Sequence, residues 1–214
     1  MKLGEIKIEA LYMCFANPDL VTDYEDTESL VETLYQLKSD PNLSDYLNAS
    51  VGAVNRCLAY FEIKGLSPIG SVTVRHGRFN EENGLLKFKL SELSSNILRV
   101  KQIFSVDSTG NILPVGYLEE KDGTVLAESH GMDFTVEYWE KIPKISHSTA
   151  DSYEIMLPDC LCRLIPYFVK GDILRVDDPD EARESARIFK ELCEGVVKDG
   201  CALPQSVSSL YKMG

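Results

Sequence analysis

The sequence predicts an α+β fold: a helical bundle built from the N- and C-terminal helices, with an inserted antiparallel β domain of sandwich or barrel-like type. Three observations carry that expectation. Apolar residues recur at helical spacing before Pro68 and again after Leu157. Between Ser71 and Pro143 they alternate with a period of two, and turn signals punctuate that stretch. Residues 1–68 and 147–200 are therefore read as one discontinuous helical domain, 69–146 as the inserted β domain, and 201–214 as a flexible tail.

In chain order, residues 2 to 16 place Leu3, Ile6, Ala10, Met13 and Cys14 on one apolar helical stripe, which Pro18 ends. A second helix runs from Thr27, its N-cap, to Lys38, with Leu30, Val31, Leu34 and Leu37 facing inward. Pro41 and Asn42 are read as a break, and Asp45-Tyr46-Leu47 as a short turn. The third helix is expected from near Ser50, with Val51, Val54, Leu58 and Phe61 on one face and Gly65 as its stop. Such helices are marginal alone and need to pack together.

The middle region predicts five to seven strands. Leu86, Phe88 and Leu90 alternate, Ile97 to Val106 is rich in branched residues, and Ser108-Thr109-Gly110-Asn111 supplies a turn before Ile112 to Leu118. Lys121-Asp122-Gly123-Thr124 is a hairpin signal. Met132, Phe134, Val136 and Tyr138 then share one strand face. Helical spacing returns with Leu161, Leu164, Ile165, Phe168, Val169 and Ile173, where Pro166 marks either a kink or the true helix start. Asp178-Pro179-Asp180-Glu181 opens the last helix: an N-cap, a first-turn proline, and acids at the positive end of the dipole. Its expected buried stripe is Ala182, Ala186, Phe189, Cys193 and Val196.

The formal net charge is −12, and residues 1–50 hold ten acids against Lys2, Lys7 and Lys38. A surface this acidic repels phosphate, which argues against adhesive nucleic-acid binding. No apolar run approaches the roughly 20 residues of a membrane span. The opening MKLGEIKIEALYMCF carries Glu5, Lys7 and Glu9, charges that a signal peptide's apolar centre excludes, so a cytosolic protein is expected. Of six cysteines, Cys14, Cys57 and Cys193 occupy apolar helical positions. Cys160 and Cys162 lack the two-residue spacing and the second pair of a zinc or thioredoxin-type site. Reduced, structural thiols are the expectation.

No catalytic constellation emerges, and the expectation is no enzyme, no cofactor and no metal. His76, His130 and His147 form neither HxH nor HExxH. There is no GxSxG elbow, Walker loop or glycine-rich phosphate cradle. The carboxylate pairs Glu81-Glu82, Glu119-Glu120 and Asp177-Asp178 suit turns and caps better than acid–base chemistry. Phe134, Tyr138 and Trp139 raise a ligand-binding alternative, a carbohydrate or peptide module on the β domain, but alternation puts Trp139 opposite the other two. A hydrolase with a dispersed triad is the third reading, which needs a histidine beside a serine or cysteine.

Two groups of residues carry a family resemblance. The first is Leu3-Gly4-Glu5-Ile6-Lys7-Ile8-Glu9-Ala10-Leu11 with Tyr46-Leu47 and Asn55-Arg56-Cys57. The second is Leu164-Ile165-Pro166-Tyr167-Phe168-Val169-Lys170-Gly171-Asp172 with Asp177-Asp178-Pro179-Asp180-Glu181-Ala182. Together they resemble the two ends of tailed-phage and prophage head–tail connector proteins, also called adaptor, neck or head-completion proteins. The resemblance implies a non-enzymatic virion structural protein that forms a ring with copies of itself beneath the portal. Its implied partners are the portal and the tail or stopper proteins, with DNA passing through the lumen unread and no membrane involved. It implies assembly in the bacterial cytoplasm and residence in the virion neck. The large β insertion departs from the simplest connectors, which are smaller and mostly helical.

Overall fold

The computed structural model describes residues 1–15 and 27–199. These form a mixed helix-and-sheet protein with two antiparallel sheets, and they divide into two compact units. Among the described residues, one unit comprises Met1–Ile63 together with the chain from Pro143 to Asp199, and the other Lys64–Ile142. The expected Pro18 helix stop and the 201–214 tail lie outside the described residues, as do the side chains of Thr27, Leu30 and Val31.

In the helical unit, α1 (Leu3–Phe15) is covered on most sides, so the single-stripe expectation is corrected. Ile8 and Leu11, both off that stripe, are fully buried, as suits a helix surrounded by neighbours. They share an apolar cluster with Leu34 and Leu37 of α2 (Thr27–Ser39) and Leu47 of α3 (Pro41–Lys64). The expected break at Pro41 is in fact the start of α3, and Asp45-Tyr46-Leu47 lies within it. Proline at the first helical position lacks only an N–H that would have no intrahelical partner anyway. Val51, Val54, Leu58 and Phe61 are buried as their spacing predicts. At the far end Gly65 adopts a φ of 71°, the left-handed conformation that closes a helix.

The start of α1 is fastened by a distant stretch of chain. A helix's first N–H groups have no intrahelical acceptor. Here Leu3 N donates to Tyr153 O at 2.9 Å and Gly4 N to Asp151 O at 2.8 Å. The Asp151 carboxylate accepts from buried Lys7 at 2.7 Å and from Lys38 of α2 at 3.0 Å. Burial by itself would raise this carboxyl's pKa; the two lysine hydrogen bonds outweigh that and hold it below the ordinary value. Asn55 of α3 clamps the same stretch, donating to Ile145 O at 2.8 Å and accepting from Ile145 N at 3.0 Å.

After the short α5 (Asp159–Cys162), α6 (Ile165–Ile173) carries Pro166 in its first turn, so the proline starts a helix rather than kinking one. In α7 (Pro179–Asp199), Asp178 accepts the Glu181 N–H at 3.0 Å, the N-cap that the sequence predicts. The buried positions of α7 include Ala182, Ser185, Phe189 and Cys193; Ala186, expected inside, is exposed and Val196 half-buried. Helices α6 and α7 approach closely at Gly171, where a Cβ would lie 3.2 Å from Ala182 O.

The β unit contains eight strands among the described residues: β1 (Ile69–Val74), β2 (Glu81–Glu82), β3 (Leu85–Lys89), β4 (Ile97–Val106), β5 (Ile112–Pro114), β6 (Tyr117–Glu119), β7 (Thr124–Glu128) and β8 (Phe134–Glu140). The short α4 (Leu90–Leu93) lies between β3 and β4. One sheet has the order β1-β8-β4-β5 and the other β2-β3-β7-β6. The count exceeds the expected five to seven because the two-residue β2 was not foreseen and because Ile112 to Leu118, read as one strand, changes sheet: β5 pairs with β4, and β6 pairs with β7. Proline closes β5, and the Gly116 N–H leaves strand pairing to bond the Glu128 carboxylate at 3.1 Å. Val74, Ile103, Val136 and Tyr138 of one sheet share an apolar core with Phe88, Val125 and Ala127 of the other. Buried Glu137 accepts from Gln102 at 2.6 Å and from Lys101 at 3.4 Å, which satisfies its charge on the strand face.

Candidate interaction surface

The helical unit carries an apolar groove of about 560 Å³ on α3, α6 and α7. Its floor follows from aromatic side chains that three helices bring together. Phe189 of α7 is the hub, 4% exposed. Its ring centroid lies 5.1 Å from Phe168 of α6 and 5.3 Å from Tyr60 of α3, both edge-on. Edge-to-face contacts of this kind set ring positions more sharply than area burial does. Gly171 and Ala186 lack bulk and leave the groove open above the rings.

Charges frame this floor. Arg56 of α3 forms a two-point pair with Asp172 of α6, its Nε 3.1 Å from Oδ1, and that hydrogen bond raises the guanidinium pKa. Lys170 pairs with Glu181 across α6 and α7. Of the charged residues, Arg175, Arg183 and Lys190 line the groove itself, with Asp172, already paired to Arg56, as the carboxylate among them. Arg183 is paired with Asp180 at 2.6 Å, but Arg175 and Lys190 are exposed and have no ion-pair partner among the described residues. On a chain of net charge −12, this is a local cationic rim around an apolar floor.

The residues weighed for chemistry are dispersed. His76, His130 and His147 are exposed in three separate loops, and among the described residues no hydrogen bond joins any of them to a serine or cysteine. Among the described residues, the carboxylate beside His130 is that of Glu128, 4.0 Å away. Among the described residues no group of three or more His, Cys, Asp or Glu is placed to hold a metal, and no helix is long and apolar enough to cross a membrane. Carboxylates of the three acidic pairs have structural partners: Glu81 accepts from Ser129, Glu119 from the Val100 N–H, Asp177 from Tyr46, and Asp178 caps α7. Phe134 and Tyr138 are core residues, while the ring of Trp139 is covered by Arg99, its guanidinium carbon 4.5 Å from the ring centre. That cation–π contact occupies a face on which a sugar would stack.

Cys14, Cys57, Cys162 and Cys193 lie outside any disulfide. Burial pushes Cys14 up to about 12 and raises Cys57 well above its ordinary value, so neither supplies a thiolate near neutral pH. Cys160 is a correction to the expectation of reduced thiols: it is disulfide-bonded, and it sits half-buried at the start of α5 rather than on a packed helical stripe. The groove itself escaped sequence reasoning. One signal for it was present, since Arg183, Ala186 and Lys190 follow the i, i+3, i+7 spacing of a single α7 face.

Comparison of the sequence with protein-family models and with curated proteins finds no match.

Proposed function

We propose that this chain is a non-enzymatic structural protein of a tailed-phage or prophage head–tail connector. In this reading its N- and C-terminal helices make a bundle, and the sandwich or barrel-like β domain is the insertion. It forms part of a ring beneath the portal, assembles in the bacterial cytoplasm and resides in the virion neck. Its partners are further copies of itself, the portal, and tail or stopper proteins, with DNA moving through the lumen unread.

The observation that carries the reading is that the two groups of resemblance-bearing residues meet. Tyr46 of the first group donates to Asp177 of the second at 2.8 Å, and Arg56 pairs with Asp172. Patterns more than 110 residues apart in the chain are thus one set of mutual contacts. An acidic surface suits a wall past which DNA slides without adhering.

Electron microscopy of the full chain mixed with the portal protein from the same genome is the test. Added ring density below the portal is the expected result. No association with any head or tail component sinks the proposal.

A further inference from the structure

We propose that the cationic-rimmed groove on α3, α6 and α7 receives the acidic segment Pro18–Asp26 of a second copy of this chain. The inference rests on the connector reading, in which copies stand side by side. The segment joins α1 to α2 and reads Pro-Asp-Leu-Val-Thr-Asp-Tyr-Glu-Asp. It holds Asp19, Asp23, Glu25 and Asp26 with no Lys or Arg, and its apolar side chains are Leu20, Val21 and Tyr24.

The groove has the reciprocal chemistry. Arg175 and Lys190 are cations without an ion-pair partner among the described residues, on a chain otherwise rich in carboxylate. They line the same groove as an aromatic floor of Tyr60, Phe168 and Phe189, opened by Gly171 and Ala186. Carboxylates on the rim and a tyrosine on the floor would satisfy both parts at once, and charge matching of this kind selects partners and register. The contact joins one patch to a different patch on the next copy, and such head-to-tail interfaces close into a ring when the rotation from copy to copy divides a full turn.

The test uses a fluorescein-labelled peptide of residues 16–31 titrated into the full chain. Saturable, salt-sensitive binding is expected, weakened about tenfold by R175E/K190E, since two exposed ion pairs are lost and replaced by repulsion. Ala186→Trp, which fills the groove from an exposed position, should block binding with the charges untouched. Circular dichroism of both variants guards against misfolding. In full-length chains, p-benzoylphenylalanine in place of Tyr24 should crosslink to α6–α7 peptides between isotopically distinct copies. Absence of saturable binding, equal binding by both variants, or crosslinks confined to one chain overturns the proposal. Portal association, scored in parallel, separates the two readings. Its failure with peptide docking intact removes the connector role, and the reverse removes only the groove assignment.

Discussion

At the scale of single residues, Asp151 joins the two stretches of the helical unit. Its carbonyl oxygen takes the Gly4 N–H, and its carboxylate takes Lys7 and Lys38. Because the folded-state carboxyl is held below its ordinary value, its stabilisation is present above the unfolded value of about 4 and is lost as pH falls through the lower, folded one. Thermal unfolding followed from pH 7 to pH 2 should therefore steepen below about pH 4. Asp151→Asn should flatten part of that acid limb. It should also cost about 1–3 kcal/mol at pH 7, because buried Lys7 loses its counter-charge. An unchanged acid limb in the variant would assign the pH dependence elsewhere. Glu9 works in the opposite sense: burial raises its carboxyl, so its ionised form costs stability that is recovered as pH falls.

At the scale of elements, the spacing of α6 and α7 depends on Gly171. A side chain there meets the Ala182 carbonyl 3.2 Å away and Ser185 Cβ at 3.4 Å, on a helix that starts only six residues after α6 ends. Gly171→Val should lower stability by about 1–3 kcal/mol, the usual cost of overpacking, despite removing a helix-interior glycine. Chemical denaturation measures it, and a variant as stable as the parent would mean the helices separate freely. Elements were legible where one local rule acted alone. The cap at Asp178 and the stop at Gly65 needed only neighbouring residues. Pro41 misled because a proline both breaks and begins helices, and only tertiary packing of Leu47 decides between the two. Ile112 to Leu118 misled because alternation does not reveal to which sheet a strand pairs. The two-residue β2 was within reach, since Asn83-Gly84 is itself a hairpin signal.

For the whole molecule, the mixed composition of helix and antiparallel sheet was readable from the switch in hydrophobic period. The groove was not. Its aromatic floor comes from positions more than one hundred residues apart, and nothing in local spacing says that Tyr60 meets Phe168 and Phe189. The division into units has a consequence for biosynthesis. Among the described residues the β unit occupies an unbroken stretch, Lys64–Ile142, whereas the helical unit needs Met1–Ile63 and the chain from Pro143 to Asp199. A ribosome releases residues in one direction, so the strand-rich stretch is complete while the leading helices still lack α6 and α7. Nascent chains arrested soon after Ile142 clears the exit tunnel should resist limited proteolysis across the strands and be cut within residues 1–63. Protection of the leading helices at that stage would mean they settle without the partners that Phe189 and Asp151 provide.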